Sequence, residues 1–210
     1  SGRLAGQTSY ITDMIVDLMR RDLAAYDVVV LDGRYDARPT GQYSKLYFGN
    51  FNSAFLGLAD SVDTGNVYHN QEAIIYAEDI RLFEGLQPSA EAVALALANI
   101  AAHELGHLLG LEHTSESLDV MSTAATARQI LEIDEFYRRS RLENSVFPIG
   151  WQSGVNLLNL NVGPNPNGAS ARWRMEDWMP SSTARIDPAL GDIEINMCGK
   201  CANGCAAVNE

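Results

Sequence analysis

Residues 103–113 read His-Glu-Leu-Gly-His-Leu-Leu-Gly-Leu-Glu-His, and three of the chain's four histidines fall within them. On a helix, His103 and His107 stand one turn apart on the same face. Glu104 lies beside the first, within reach of a water held by a metal. Gly110 can adopt the left-handed conformation that ends a helix, turning the chain so that His113 enters as a third nitrogen donor. Three protein ligands with a fourth position open is the arrangement of a hydrolytic zinc site; a structural zinc is closed by four. A bare HExxH is a weak signal, but here the glycine and the third histidine are in register as well.

The rest of the chain must supply a scaffold for that helix. Its 210 residues suffice for one well-packed domain with an extension. No apolar run approaches the roughly 20 residues that cross a bilayer. A formal charge of −12 argues against nucleic acid or an anionic membrane as a partner. It suits an extracellular, secreted protein, and with no signal peptide visible at the start, residue 1 is expected to begin an excised or processed fragment. A monomer acting on peptide or protein substrates is expected.

Thr8 or Ser9 caps a helix to about Tyr26, with Ile11, Ile15, Leu18 and Met19 as its apolar stripe. Strands are expected at Tyr26–Leu31, Lys45–Phe48, Phe55–Val62 and Ala73–Ala77. Ser89 caps the longest helix, which is apolar all round from Val93 to Leu109 and so belongs at the domain centre. A further helix is expected over 126–142, with Ile130, Ile133 and Phe136/Tyr137 inward and Arg138, Arg139 and Arg141 in its last turn. From Asn144 onward Gly, Pro and Asn recur and periodicity fades. That stretch reads as a loop-rich extension over 145–210, packed by Trp151, Trp173 and Trp178 on a catalytic core spanning 1–144. The fold class is α+β.

These residues resemble the metzincin zinc peptidases, whose signature is HExxHxxGxxH followed by a methionine turn. Asp119-Val120-Met121-Ser122 looks like that turn, and its short distance from His113 is most similar to the matrixin branch. The resemblance implies a two-subdomain zincin, the upper part ending near 110 and the lower beginning at 111. A mixed sheet would place an edge strand above the cleft, with the zinc helix at the centre. It implies one catalytic zinc held by His103, His107 and His113, with Glu104 as general base and Met121 as a packing floor. Substrate would pair with an edge strand at Gly57, Leu58 and Ala59. The family's first strand precedes its first helix. Residues 1–7 hardly supply one, so it lies upstream or is absent.

Some features depart from the family. Ser122-Thr123-Ala124 stand where matrixins carry a proline, and Thr114 replaces a serine. With His69 the one histidine left over, a histidine-rich structural zinc site is not expected. Asp60, Asp63, Glu78 and Asp79 are candidate calcium ligands by composition alone. Cys198, Cys201 and Cys205 fit a short disulfide plus a free thiol, a bond to a cysteine outside this stretch, or a second zinc. Those alternatives stay open. The leading function is a zinc-dependent endopeptidase. The alternative is a catalytically weak metzincin-like binding or adhesion module, and a third reading is an intracellular peptidase with a second zinc on the tail cysteines.

Overall fold

The computed structural model describes residues 4–167 and the backbone of a strand at 193–199. Helix α1 (Thr8–Leu23) buries Ile15, Val16, Met19 and Leu23. Its cap position is Gln7, with no side-chain cap, so neither Thr8 nor Ser9 plays that part; Thr12 Oγ1 instead donates back to the Thr8 carbonyl. Strands β1 (Val28–Asp32), β2 (Ser44–Gly49), β3 (Gly57–Ala59) and β4 (Glu72–Tyr76) follow. All four lie where the β-branched and aromatic runs placed them, with β3 shorter than expected.

A 3-10 helix, Ala77–Leu86, leads from β4 to α2 (Ala90–Leu108). Ser89 caps α2 by accepting from the Ala92 amide. The helix is buried along nearly its whole length. A rod with no polar face has to be surrounded, and α2 lies between α1 on one side and β3 and β4 on the other.

The sheet runs β1-β7-β2-β4-β3, where β7 is Ile193–Gly199. β2 and β4 are parallel, and β3 is antiparallel to β4 at the edge. β7 is antiparallel to both β1 and β2. A strand from the far end of the sequence therefore takes an interior position in the sheet, between two strands that precede α2.

The helix expected over 126–142 is a correction. α3 spans only Ala127–Glu132, opened by a capping box between Thr126 and Gln129. Ile133 is extended, and the buried Asn99 side chain of α2 donates to the Ile130 and Ile133 carbonyls. Those carbonyls would otherwise have accepted the next turn of helix, so the captured chain straightens. Beyond it, Val120 donates to the Phe136 carbonyl, and β5 (Arg139–Arg141) pairs antiparallel with β6 (Trp151–Ser153). Phe136 is exposed and Tyr137 is buried, where both were expected inward.

Helix α4 (Gly154–Asn161) stands inside the stretch expected to be loop-rich. Its Leu158 is fully buried, and Asn161 Nδ2 donates to the Leu109 carbonyl at the end of α2. Trp151 is 55% exposed, stacked under the Arg139 guanidinium, and so does not anchor this part to the core. Trp173 and Trp178 lie outside the described residues.

Candidate active site

The end of α2 is built by its glycine. Gly110 has φ +90°, Gly110 N donates to His107 O, and Leu111 N donates to Gly106 O. This is a Schellman closure, and it reverses the chain so that His113 returns toward the last turn. A Cβ at Gly110 would fall 2.7 Å from the Asp63 carbonyl oxygen, so the turn is closed to larger residues by space as well as by φ.

His103, His107 and His113 converge, with one nitrogen from each lying within 4.8 Å of the others. Each ring is oriented from behind. His103 Nδ1 faces Val120 O at 2.7 Å, and His107 Nδ1 faces Leu111 O at 2.8 Å. His113 Nδ1 faces Glu143 Oε2 at 3.7 Å. An oxygen acceptor requires N–H on the nitrogen it faces, which leaves Nε2 with a free lone pair. The Nε2 atoms of His107 and His113 stand 3.0 Å apart. With both Nδ1 atoms protonated, their lone pairs would oppose each other, an arrangement that a cation resolves, and tetrahedral zinc at its usual bond lengths separates two nitrogens by about 3.3 Å. The donor set fits that ion. Burial is the main cause that lowers the His103 pKa to about 3 and that of His107 to about 4, keeping both imidazoles neutral and able to ligate.

Glu104 points toward β3. It is 6% exposed, and burial raises its carboxyl to about 7, with a backbone hydrogen bond from Ala59 pulling the other way. A cleft of about 580 Å³ collects Gly57, Leu58 and Ala59 on one wall, the three histidines and Glu104 on its floor, and Ser122 and Thr123 opposite. Met121 is fully buried beneath α2, its sulfur occupying the space a side chain at Gly106 would need. Asp119 braces that segment, accepting from the Met121 amide and the Thr114 hydroxyl.

The other candidates are dispersed. His69 Nε2 lies 2.9 Å from Asn66 O. Asp63 accepts from the Tyr68 amide, Asp79 from the Asn52 amide, and Glu78 pairs with Arg81. Among the described residues the histidine triad is the one group of three or more His, Cys, Asp or Glu side chains gathered closely enough to hold a metal. Cys198 lies on β7 in register with Val29, and Cys201 and Cys205 fall outside the described residues. Two carboxylates escaped sequence reasoning. Glu143 backs His113, and Glu135 lines the cleft. Neither belongs to a motif; Glu135 falls in the stretch read as continuing helix, and Glu143 just beyond it.

Residues 52–135 match the matrixin family model, a stretch that includes β3, the three converging histidines and the residues that line the cleft. An α+β fold with a small mixed sheet accords with that match. No curated protein and no solved structure matches the chain. The match and the triad together support a metallopeptidase, a hydrolase; the matrixin family implies a catalytic zinc and a protein substrate. Among the described residues, no helix is long and apolar enough to cross a membrane.

Proposed function

We propose that the protein is a zinc-dependent endopeptidase that cleaves peptide bonds in the cleft between β3 and the segment after Met121. The observation that carries this reading is the set of three converging imidazoles, with Nδ1 of His103 and of His107 facing a backbone carbonyl and Nδ1 of His113 turned toward Glu143, beside the buried carboxyl of Glu104.

His103, His107 and His113 would hold the metal through Nε2. Zinc bound there supplies Lewis acidity, letting water ionise near neutral pH and polarising the scissile carbonyl. Glu104 accepts the proton of the attacking water and returns it to the leaving amine. Its high pKa suits it to both transfers, since a base matched to the working pH also serves as the acid. The substrate lies extended along Gly57, Leu58 and Ala59, adding a strand to the sheet edge. Met121 acts as the floor of a methionine turn beneath the triad, packing as a thioether and not ligating. The stretch from 145 onward is an extension packed on the same domain as the catalytic core, a reading supported by the hydrogen bond from Asn161 to the Leu109 carbonyl at the end of α2. The matrixin match and the formal charge of −12 support a location outside the cell.

The test compares wild type with Glu104→Gln. The variant is expected to bind one zinc per chain and to lose at least about a hundredfold in kcat on a quenched peptide. Wild-type protein that binds zinc and peptides without cleaving any would instead select the binding-module reading. Unchanged turnover in Glu104→Gln would remove Glu104 from the chemistry.

A further inference from the structure

Glu135 is an unusual residue to find in a pocket wall. It is 4% exposed, lines the same cleft as the histidines, and its Oε1 has no hydrogen-bond partner. An ionised carboxylate without partners is expensive to bury, so an orphaned one that borders a cavity points to a ligand that would satisfy it.

The carboxyl is also held in place. Asn99 Oδ1 accepts from the Glu135 amide, and the same side chain clamps the Ile130 and Ile133 carbonyls. Two residues on, the Tyr137 hydroxyl donates to Ala102 O on α2. With both sides anchored to the zinc helix, the backbone at Glu135 cannot swing away to solvate the side chain. The charges that act on it are Asp119, which has the same sign, and the exposed Arg138, whose opposing field is weaker. Glu112 lines the same cleft. Among the described residues, no lysine or arginine lines this cleft.

We propose that Glu135 makes the pocket selective for a basic side chain, so that the preferred substrates carry lysine or arginine immediately beside the scissile bond. The inference rests on the endopeptidase reading and deepens it. An apolar side chain entering the pocket would leave the carboxyl buried and unpaired, whereas a cationic one pairs with it. A site built to bond a polar group discriminates strongly against analogues that lack it.

The experiment uses quenched peptides that differ only at the two positions flanking the bond, with Lys, Arg, Gln, Leu or Glu at each. Wild-type protein is expected to favour Lys or Arg over Leu and Gln by roughly ten- to a hundredfold in kcat/KM at one flanking position, the range of a charged hydrogen bond. Glu135→Gln should reduce that preference to a few-fold, and Glu135→Met should turn it toward Leu. The same peptides bound to the Glu104→Gln protein, followed by fluorescence anisotropy, should rank in the same order, giving a readout independent of turnover. Preference for Leu in wild type, equal use of Gln and Lys, or a basic preference that survives in Glu135→Gln and Glu135→Met would each overturn the proposal. Cleavage of no peptide at all would overturn the endopeptidase reading itself, a result distinct from cleavage without basic selectivity.

Discussion

Gly57 on the edge strand and Glu104 on α2 are in such close contact that a Cβ at position 57 would lie 2.5 Å from Glu104 Oε1 and 2.8 Å from its carboxyl carbon. The glutamate therefore takes its position from a side chain that is missing, together with the Ala59 backbone hydrogen bond two residues along the strand. The strand that would bind substrate and the group that would move the proton are built as one unit.

Gly57→Ala should displace the Glu104 carboxyl without touching a histidine. Zinc stoichiometry is expected to stay at one, while kcat falls by about a hundredfold, the scale associated with a misplacement near 1 Å. Metal analysis alongside steady-state kinetics checks this. Wild-type kcat in the variant would show that Glu104 does not depend on the close approach.

Glu143 stands behind His113 as a carboxylate facing Nδ1, and its amide donates to the His113 carbonyl. Partners of this kind fix the tautomer and orientation of a ligand. Glu143→Ala should lower zinc affinity by about ten- to a hundredfold, measured by competition with a chelator. Affinity within twofold of wild type would make the contact incidental.

The Glu135 carboxyl is raised from its ordinary 4.5 to about 7, first by burial, then by Asp119, against the weaker effect of Arg138. A group whose pKa is higher in the folded chain than in the unfolded one contributes stability below the unfolded value and loses it as pH rises through the folded one. Wild type should therefore lose ground to Glu135→Gln between pH 5 and pH 8, by on the order of 2 kcal/mol once cleft water is allowed for. Urea melts of metal-free protein at the two pH values measure the difference. A stability gap that does not change with pH would mean that Glu135 ionises normally.

Much of the site was legible because it is local. A four-residue histidine spacing, a glycine at the helix end and a serine before the first turn act over a few positions, and α2 with its Schellman exit follows from them. What was not legible depends on partners far away in sequence. Residues 193–199 become an interior strand only because β1 and β2 stand apart to receive them. The helix expected over 126–142 stops at Glu132 because Asn99, more than thirty positions earlier than Ile130, captures the carbonyls that would have continued it. Glu135 and Glu143 gain their places from that same redirected chain, and nothing in their immediate neighbours marks them.

The most direct measurement is the coordination of zinc in the loaded protein, by X-ray absorption and an anomalous crystal map. The account predicts one ion per chain at this position, bound by three imidazole nitrogens at about 2.0–2.1 Å with one water or substrate-analogue oxygen in the fourth place. A sulfur ligand, a fourth protein donor closing the site, or imidazoles that stay apart at saturating zinc would contradict it.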